Sequence, residues 1–345
     1  MAESSEEARD LLERMRRCHV VVIGDLMLDE YLWGEIGRIS PEAPVPVMQL
    51  KRAEVSLGGA GNVARNVASL GARVSTIGVV GTDRPGTLLL GQLDHLGIDR
   101  HHVFEEPGRP TTRKTRLMSA EHNQQVFRFD EELTEELTES RENQLLDALR
   151  ERIPSSQVIV CSDYLKGVLT ARLLTEVAGL ARRYGVPLVT APKDIHPEKY
   201  ASASVLMPNF REFCQLAGYR ENTSGKASID SAARELLDKY CFQALLVTRG
   251  RDGMSLFEKP NGMLLRQDIP ALTQSVYDVT GAGDTALGVF SLSVAAGASR
   301  SQSAYLANVA AGIVVGKRGT ACVTPHEIMD RLAMADRVSA AGAYS

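Results

Sequence analysis

The stretch Asp278-Val279-Thr280-Gly281-Ala282-Gly283-Asp284-Thr285 runs directly into an apolar segment that extends from Ala286 to Ala298. A Gly-x-Gly turn at the start of a helix brings several unpaired backbone N–H groups to one point, and the helix dipole adds partial positive charge there. Such a point attracts anions, and the side chain of Asp284 would lie beside the bound anion. The arrangement suits phosphoryl transfer, in which a carboxylate accepts a hydroxyl proton while N–H groups stabilise the migrating group. A tight turn capped by an aspartate fits the octapeptide equally well.

The composition does not favour nucleic acid or a membrane as a partner. The 345 residues include 39 Lys and Arg against 43 Asp and Glu, so the net charge is -4 and no global attraction to nucleic acid is expected. The longest apolar run, after Asp284, is too short to span a bilayer. The charged N-terminus is unlike a signal peptide, and the five cysteines are scattered without metal-binding spacing. We therefore expect a cytoplasmic protein.

Short β-rich runs alternate with amphipathic helical segments along most of the chain, starting with His19 to Ile23. This alternation is typical of an α/β fold with a doubly wound, mostly parallel sheet flanked by helices. One of the predicted helices runs from Leu133 to about Arg152. Asp29, five residues after Gly24, is expected at the end of a core strand, where such sheets bind ligands.

Two segments interrupt the alternation. The stretch from Ile36 to Leu57 is proline-rich and extended, and the runs Arg113 to Met118 and Gln125 to Phe129 are joined by a polar turn, Glu121-His122-Asn123, as in a hairpin. We interpret both as one small inserted β lid. The predicted division is an α/β core of residues 1–35, 57–108 and 131–345 with a lid of residues 36–56 and 109–130.

Two glycine-containing signatures carry a resemblance to a known family. They are Gly58-Gly59-x-x-Asn62, which opens a helix ending at Gly71, and the stretch from Asp278 to Thr285. In this order and at this separation the pair resembles the ribokinase-like (PfkB-type) family of small-molecule kinases. The resemblance covers Gly24 to Thr320 and implies a ribokinase-like fold. A P-loop, the dinucleotide glycine fingerprint after the first strand and the His-Arg-Asp loop of protein kinases are all missing from the sequence.

The resemblance also implies roles for individual residues. Asp284 would be the catalytic base, and the backbone of Gly281, Ala282 and Gly283 would form the anion hole. Asn209 and Glu212 would help to hold Mg²⁺ and the phosphates, because oxygen ligands suit a hard cation. These two residues also fit the N-cap and third position of a helix.

Further positions match the nucleotide and cation sites of the family. Thr248, Gly250 and Gly253 form a strand end with a glycine turn and would contact ATP, although a plain hairpin turn is the alternative. Asn308 and Gly312, on a late helix, are candidate neighbours of the adenine or simply packing residues. Asp278 and Thr280 are candidate contacts for a monovalent cation such as K⁺.

A closer resemblance concerns the acceptor. Five segments are similar to the heptose-7-phosphate kinase branch of the family: Arg38 to Val47, Arg109-Pro110-Thr111 to Lys114 with Arg116, Asn123 to Asp130, Ser162-Asp163-Tyr164-x-Lys166-Gly167, and Gly316-Lys317-x-Gly319-Thr320. That branch makes the 1,7-bisphosphate on the route to ADP-heptose for the inner core of lipopolysaccharide. Its members are often fused to a nucleotidyltransferase with a His-x-Gly-His motif, which this sequence lacks, so we expect a free-standing kinase.

A sugar phosphate carries a fixed dianion, which Arg and Lys hold through charge-assisted hydrogen bonds. The candidates for this contact are Arg116, Arg128, Lys166 and Lys193; solvated strand positions are the alternative for the two arginines. The residues expected to contact sugar hydroxyls are Asp29, Gly58, Gly59, Asn62 and Gln124. One departure is Ala191, before Pro192-Lys193, where the branch usually has Asp.

Three alternatives stay open at this point. The nearest is a ribokinase- or fructokinase-like enzyme that acts on an unphosphorylated sugar. The others, from different classes, are an NAD-dependent oxidoreductase and a nucleotide-binding scaffold without activity. Because lid strands with alternating apolar faces would expose surface if left alone, we also expect a homodimer with paired lids.

Overall fold

The computed structural model describes residues 5–121, 124–219, 226–272, 277–317 and 319–342. Its helices are α1 (Ser5–Met15), α2 (Ala60–Ser69), α3 (Arg84–His95), α4 (Glu139–Arg152), α5 (Ala171–Tyr184), α6 (Phe210–Leu216), α7 (Lys226–Lys239), α8 (Ala282–Ala295), α9 (Arg300–Val314) and α10 (Pro325–Gly342). Its strands are β1 (His19–Gly24), β2 (Leu26–Ile39), β3 (Pro46–Gly59), β4 (Arg73–Gly81), β5 (Asp99–Glu106), β6 (Thr112–Ser119), β7 (Gln125–Glu131), β8 (Val158–Ser162), β9 (Leu188–Ala191), β10 (Val205–Leu206), β11 (Ala244–Thr248), β12 (Met254–Glu258) and β13 (Leu265–Ile269).

A nine-stranded sheet in the order β13-β12-β11-β10-β9-β8-β1-β4-β5 forms the core. Among its described strand pairs, β11–β12 and β12–β13 are antiparallel and the others are parallel. Val20 and Val22 of β1 pack with α2, α8 and α9 on one face, whereas Val21 and Ile23 pack with α4 and α5 on the other. Because both faces of the sheet are covered by helices, its central strands are continuous apolar runs. The predicted doubly wound α/β fold is confirmed.

The strand directions decide where functional side chains can meet. The parallel strands β1, β8, β9 and β11 all end at the same edge of the sheet. The loops that follow them and the N-terminus of α8 therefore face one crevice, which is where doubly wound sheets bind ligands. No helix in the described part of the chain is long and apolar enough to cross a membrane.

The lid is a separate four-stranded sheet in the order β3-β2-β6-β7. It begins earlier than the sequence predicted, because β2 and β3 pair from Leu26 opposite Gly59 onward. Residues 26–35, which we expected in the core, therefore belong to the lid sheet. Asp29 lies inside β2 opposite Ser56 and not at the end of a core strand. The predicted hairpin of β6 and β7 is present, although residues 122 and 123 of its turn lie outside the described residues.

Helix α4 starts later than expected. It begins at Glu139 after Thr138, whose hydroxyl accepts a hydrogen bond from the N–H of Arg141 at 3.4 Å. The preceding residues cannot continue the helix, because the N–H of Leu137 donates to the carbonyl of Gly167 and ties this segment to the loop after β8. The buried apolar residues of α4 are Leu145, Leu146, Ala148 and Leu149, all of which follow Glu139.

Candidate active site

The N-terminus of α8 is shaped by Gly281. This residue has φ 79°, and a Cβ placed there would lie 2.7 Å from Nδ2 of Asn62. Only glycine fits both the left-handed backbone and the close approach. The N–H of Ala282 donates to the carbonyl of Val279 at 3.3 Å. Of the predicted anion-hole residues, Gly281 lines the acceptor-side cavity described below, and Ala282 and Gly283 line a cavity on the other side.

Asp284, in the first turn of α8, is 7% exposed and held at both oxygens. Its Oδ1 accepts a hydrogen bond from the hydroxyl of Tyr164 at 2.6 Å, and its Oδ2 accepts one from Nδ2 of Asn62 at 2.8 Å. The orientation of the Asn62 amide is fixed, because its Oδ1 accepts from the Arg65 guanidinium at 2.8 Å, a group that can only donate.

Burial raises the pKa of Asp284 to about 6, although the hydrogen bonds from Tyr164 and Asn62 oppose the rise. A carboxyl group with this pKa is ionised at neutral pH and still basic enough to accept a proton, which is what a general base requires. The electrostatic environment of Asp284 therefore suits the role that the sequence resemblance gives it.

The first cavity, which we call the acceptor cavity, has a volume of about 350 Å³. It is lined by Asp284, Gly281, Thr280, Asp29 and Gly59 together with five cationic residues: Lys114, Arg116, Arg128, Lys166 and Lys193. Cations from both lid and core thus converge beside Asp284. Guanidinium and ammonium donors gathered in this way suit a ligand with a phosphate group, which would share them with their carboxylate partners.

Each of these cations already contacts a carboxylate. Arg128 contacts Asp130 at 2.6 and 2.7 Å, and Lys193 contacts Glu212 at 2.7 Å. Glu132 bridges Lys114 at 3.1 Å and Lys166 at 2.8 Å, which links the lid to the core. Arg116 forms a buried ion pair with Asp29, so it is not the solvated strand residue considered from the sequence.

Three of the predicted sugar contacts lie elsewhere. Gln124 is exposed and does not line the acceptor cavity. Gly58 lies behind the cavity, where its missing side chain makes room for Asp29, since a Cβ would be 2.6 Å from Oδ2 of that residue. Asn62 is fully buried and reaches the cavity only through its hydrogen bond to Asp284.

The second cavity, the nucleotide-side cavity, has a volume of about 220 Å³ on the other side of the α8 N-terminus. Five of the seven predicted nucleotide contacts line it: Thr248, Gly250, Gly253, Asn308 and Gly312. The other two, Asn209 and Glu212, do not. Much of the remaining wall is apolar, with Met254, Ala286 and Val315. The Asn308 amide donates to the carbonyl of Pro270 at 2.8 Å, so this side chain also has the packing role considered from the sequence.

A third and smaller cavity of about 150 Å³ joins the other two. It shares Gly283 with the nucleotide-side cavity and shares Asp284, Tyr164 and Lys193 with the acceptor cavity. Asn209 and Glu212 line it and form a reciprocal capping box at the start of α6. One oxygen of Glu212 accepts from the N–H of Asn209 and the other contacts Lys193. The pair therefore caps a helix and also lines the cavity beside Asp284, so the two roles considered from the sequence are compatible.

Asp278 is occupied by backbone donors. Its carboxylate accepts from the N–H of Thr280 at 2.9 Å and from the N–H of Gly319 at 3.1 Å. Within the ranges that the structure describes, no group of three or more His, Cys, Asp and Glu residues is arranged to hold a metal ion.

Sequence reasoning missed three residues of the site. Tyr164 and Lys114 lie inside segments that resemble the heptose-7-phosphate kinase branch, but the sequence indicated no role for either residue. Arg65, which fixes Asn62, lies one turn further along α2. The signal that could have pointed to Tyr164 is its place two residues after the end of β8, where ligands contact parallel sheets. The pairing of Tyr164 with Asp284, 120 positions later, is set by the fold alone.

Comparisons with known proteins agree with this geometry. A model of the pfkB family of carbohydrate kinases matches residues 18–327. The "Bifunctional protein HldE" of Geobacter metallireducens is 45% identical over 324 residues, which are 94% of this chain and 65% of that protein. The protein of the same name from Geobacter sulfurreducens is 46% identical over 319 residues, 91% of this chain and 63% of that protein. The chain thus spans slightly less than two thirds of the length of these relatives.

Solved structures with the same fold are more distant in sequence. Arabidopsis thaliana ribokinase, complexed with ribose and ATP, has a TM-score of 0.70 at 20% identity, with 92% of this chain and 99% of that chain covered. Escherichia coli phosphofructokinase-2, in complex with potassium, has a TM-score of 0.75 at 19% identity, with 92% and 98% covered. These likenesses establish the ribokinase-like fold. The family match extends to the sequence itself, and the chain therefore belongs to the pfkB family of carbohydrate kinases, phosphotransferases with an alcohol group of a sugar as acceptor.

Proposed function

We propose that this kinase transfers the γ-phosphoryl group of ATP to the anomeric hydroxyl of D-glycero-D-manno-heptose 7-phosphate and makes the 1,7-bisphosphate, in ADP-heptose and lipopolysaccharide core biosynthesis. Two lines support this acceptor. The lid and loop segments from Arg38 to Val47 and from Ser162 to Gly167 resemble the heptose-7-phosphate kinase branch. The HldE proteins are similar to the chain over nine tenths of its length.

One observation carries the proposal: Asp284 lies where a cavity rich in cations meets the path to a cavity with much apolar wall. A sugar phosphate suits the first cavity and a nucleotide base suits the second. Between them, the γ-phosphoryl group would lie against the start of α8. Binding both reactants in this way lowers the entropic part of the barrier to transfer.

The proposed step is an in-line displacement. The anomeric oxygen attacks the γ-phosphorus, the bond from that phosphorus to the β,γ-bridging oxygen breaks, and ADP leaves with the electron pair. Asp284 accepts the hydroxyl proton, and the backbone N–H groups at 281 and 283 stabilise charge on the migrating group. The N–H of Ala282 would join them only by leaving the carbonyl of Val279. Closure of the lid excludes water, which would otherwise compete as the acceptor.

Oxygen atoms lie at both positions proposed for cations, although the carboxylates of Glu212 and Asp278 already accept hydrogen bonds within the protein. Glu212 and Asn209 present oxygens to the small cavity beside Asp284 and Gly283, and we propose that they hold Mg²⁺ through water. When bound, Mg²⁺ would neutralise charge on the phosphates. We also propose that a monovalent cation such as K⁺ binds beside Asp278 and Thr280. The structure of E. coli phosphofructokinase-2, which has the same fold, was solved in complex with potassium.

We further propose that two copies pair through their lids. Several lid side chains are exposed and apolar, namely Ile39 at 62%, Leu50 at 57%, Phe127 at 59% and Phe129 at 42%. Apolar surface on a free sheet is normally covered by a partner. Light scattering should give the mass of a dimer for the natural chain and that of a monomer for Phe127→Asp. A monomeric natural chain would contradict the pairing.

The acceptor is tested by a panel of sugars assayed with Mg-ATP. The panel contains the heptose 7-phosphate, the free heptose, ribose, fructose and fructose 6-phosphate. We expect kcat/KM for the heptose 7-phosphate to exceed that for the free heptose by about a hundredfold or more, because the phosphate adds charge-assisted hydrogen bonds. Comparable values for a free sugar would favour the ribokinase- or fructokinase-like alternative.

A further inference from the structure

The loop between β8 and α5 is held by a buried carboxylate beneath it. Asp25, 1% exposed, accepts hydrogen bonds from three backbone N–H groups of this loop: Tyr164 at 2.7 Å, Lys166 at 3.1 Å and Val168 at 3.2 Å. Three bonds to one side chain fix the path of the loop. The direction in which Tyr164 projects is therefore set by the core and not by the substrate.

The Tyr164 hydroxyl is a committed donor to Asp284. Burial and the charge of Asp284 raise the pKa of Tyr164 well above its usual value, so the hydroxyl keeps its proton. That proton points at Oδ1 of Asp284 over 2.6 Å, while Asn62 donates to Oδ2. With a donor on each oxygen, the carboxylate cannot rotate freely. Each oxygen still has a lone pair that could accept a proton from the acceptor hydroxyl.

We propose that Tyr164 is a positioning residue, which holds the Asp284 carboxylate in the orientation and the ionised form that accept the proton of the acceptor hydroxyl. The inference rests on the proposed role of Asp284 as the base. It gives a function to the conspicuous tyrosine of the Ser162-Asp163-Tyr164 segment. It also explains why Asp284, almost completely buried, is served by donors from two different parts of the fold, α2 and the loop after β8.

Other charges around Asp284 come from several elements and must stay constant in a test. Asp29 of β2 raises its pKa and Arg65 of α2 lowers it. Glu212 of α6 acts on the pKa of Tyr164, and Lys166 and Lys193 face the same cavity. Tyr164→Phe changes none of these groups and removes only a hydroxyl, so it isolates the hydrogen bond.

The decisive measurement needs no substrate. The chain is labelled with ¹³C at aspartate carboxyl carbons and titrated by NMR, and the Asp284 signal is the one that is missing from Asp284→Asn. Loss of a hydrogen bond to a carboxylate should raise its pKa by about one unit, so the Asp284 midpoint should move upward in Tyr164→Phe. The matched control is Tyr200→Phe, which loses a buried hydroxyl bond of 2.7 Å to Asp163 and the acceptor for the N–H groups of Lys193 and Asp194, but leaves both donors to Asp284 in place. Its Asp284 midpoint should stay in place.

A second variant guards against simple loss of folding. Replacing Tyr164 by 3-fluorotyrosine keeps the shape and makes the phenol a stronger donor, so the Asp284 midpoint should fall. In the kinetic assay, Tyr164→Phe should lower kcat/KM by about tenfold at pH 6 but by less at pH 8.5, where Asp284 is ionised in both proteins. KM for ATP should not change.

The results separate the two hypotheses. An unchanged Asp284 midpoint in both Tyr164 variants would overturn the positioning role even if Asp284→Asn abolishes turnover. A near-normal rate in Asp284→Asn would instead remove Asp284 as the base and with it the proposed function.

Discussion

Arg116 of β6 and Asp29 of β2 form a buried ion pair, with 2.6 Å between Nη1 and Oδ1 and side chains that are 10% and 6% exposed. The guanidinium also lies over the ring of Tyr31, 5.1 Å from its centroid. Removal of one partner from a buried ion pair leaves the other charge buried without compensation, which destabilises the fold. Arg116 is therefore part of the lid's own structure as well as of the wall of the acceptor cavity.

Arg116→Met should destabilise the protein by about 3–5 kcal/mol, because it leaves the Asp29 carboxylate buried without a partner. Chemical denaturation measures the change. The double variant Arg116→Met with Asp29→Asn removes the orphaned charge and should recover most of the loss. If the single variant Arg116→Met is as stable as the natural chain, the ion pair does not contribute to the free energy of unfolding.

The pH dependence of turnover should follow Asp284. Its pKa is raised to about 6, and a general base works only when ionised, so kcat/KM should be level above about pH 7 and fall with decreasing pH through 6.

Asp284→Asn should lower kcat by roughly a hundredfold to ten-thousandfold while ATP still binds. Loss of ATP binding in that variant would instead indicate damage to the nucleotide side.

Arg128→Ala should weaken binding of the sugar phosphate by about tenfold to a hundredfold, because a charge-assisted bond is lost and Asp130 is left facing the phosphate. The dissociation constant of ATP should stay within twofold. Arg113→Ala is the control, since this arginine pairs with Glu131 and Glu30 and does not line the acceptor cavity. Equal weakening of ATP and sugar phosphate would contradict the role of Arg128.

Gly281→Ala should cost about 1–3 kcal/mol of stability, because alanine is strained at φ 79°. Turnover should fall by more than the loss of folded protein explains, since the new Cβ would displace Asn62 from Asp284. Gly179→Ala is the matched control: this glycine lies within α5 and has open space around the position of a Cβ. It should be neutral or slightly stabilising. A fully active Gly281→Ala enzyme would argue against the strict geometry at the start of α8.

The amino-acid sequence by itself determined the alternation of strands and helices and the glycine turn before Asp284, because these depend on local periodicity and backbone freedom. It predicted the β6–β7 hairpin of the lid but not where the lid starts, since residues 26–35 join the lid sheet only by pairing with β3. Helix α4 likewise begins late because Leu137 bonds to a loop 30 residues away.

The partners of the charged side chains could not be predicted from the sequence. Arg116 with Asp29, Glu132 with Lys114 and Lys166, and Tyr164 with Asp284 join residues that are distant in the chain. Local patterns carry no information on such pairs, which depend on strand register and on the crossing of loops at one edge of the sheet. Only the tertiary structure decided that the Asp284 carboxylate is held by two donors and that each of the five cations lining the acceptor cavity already has a counter-charge.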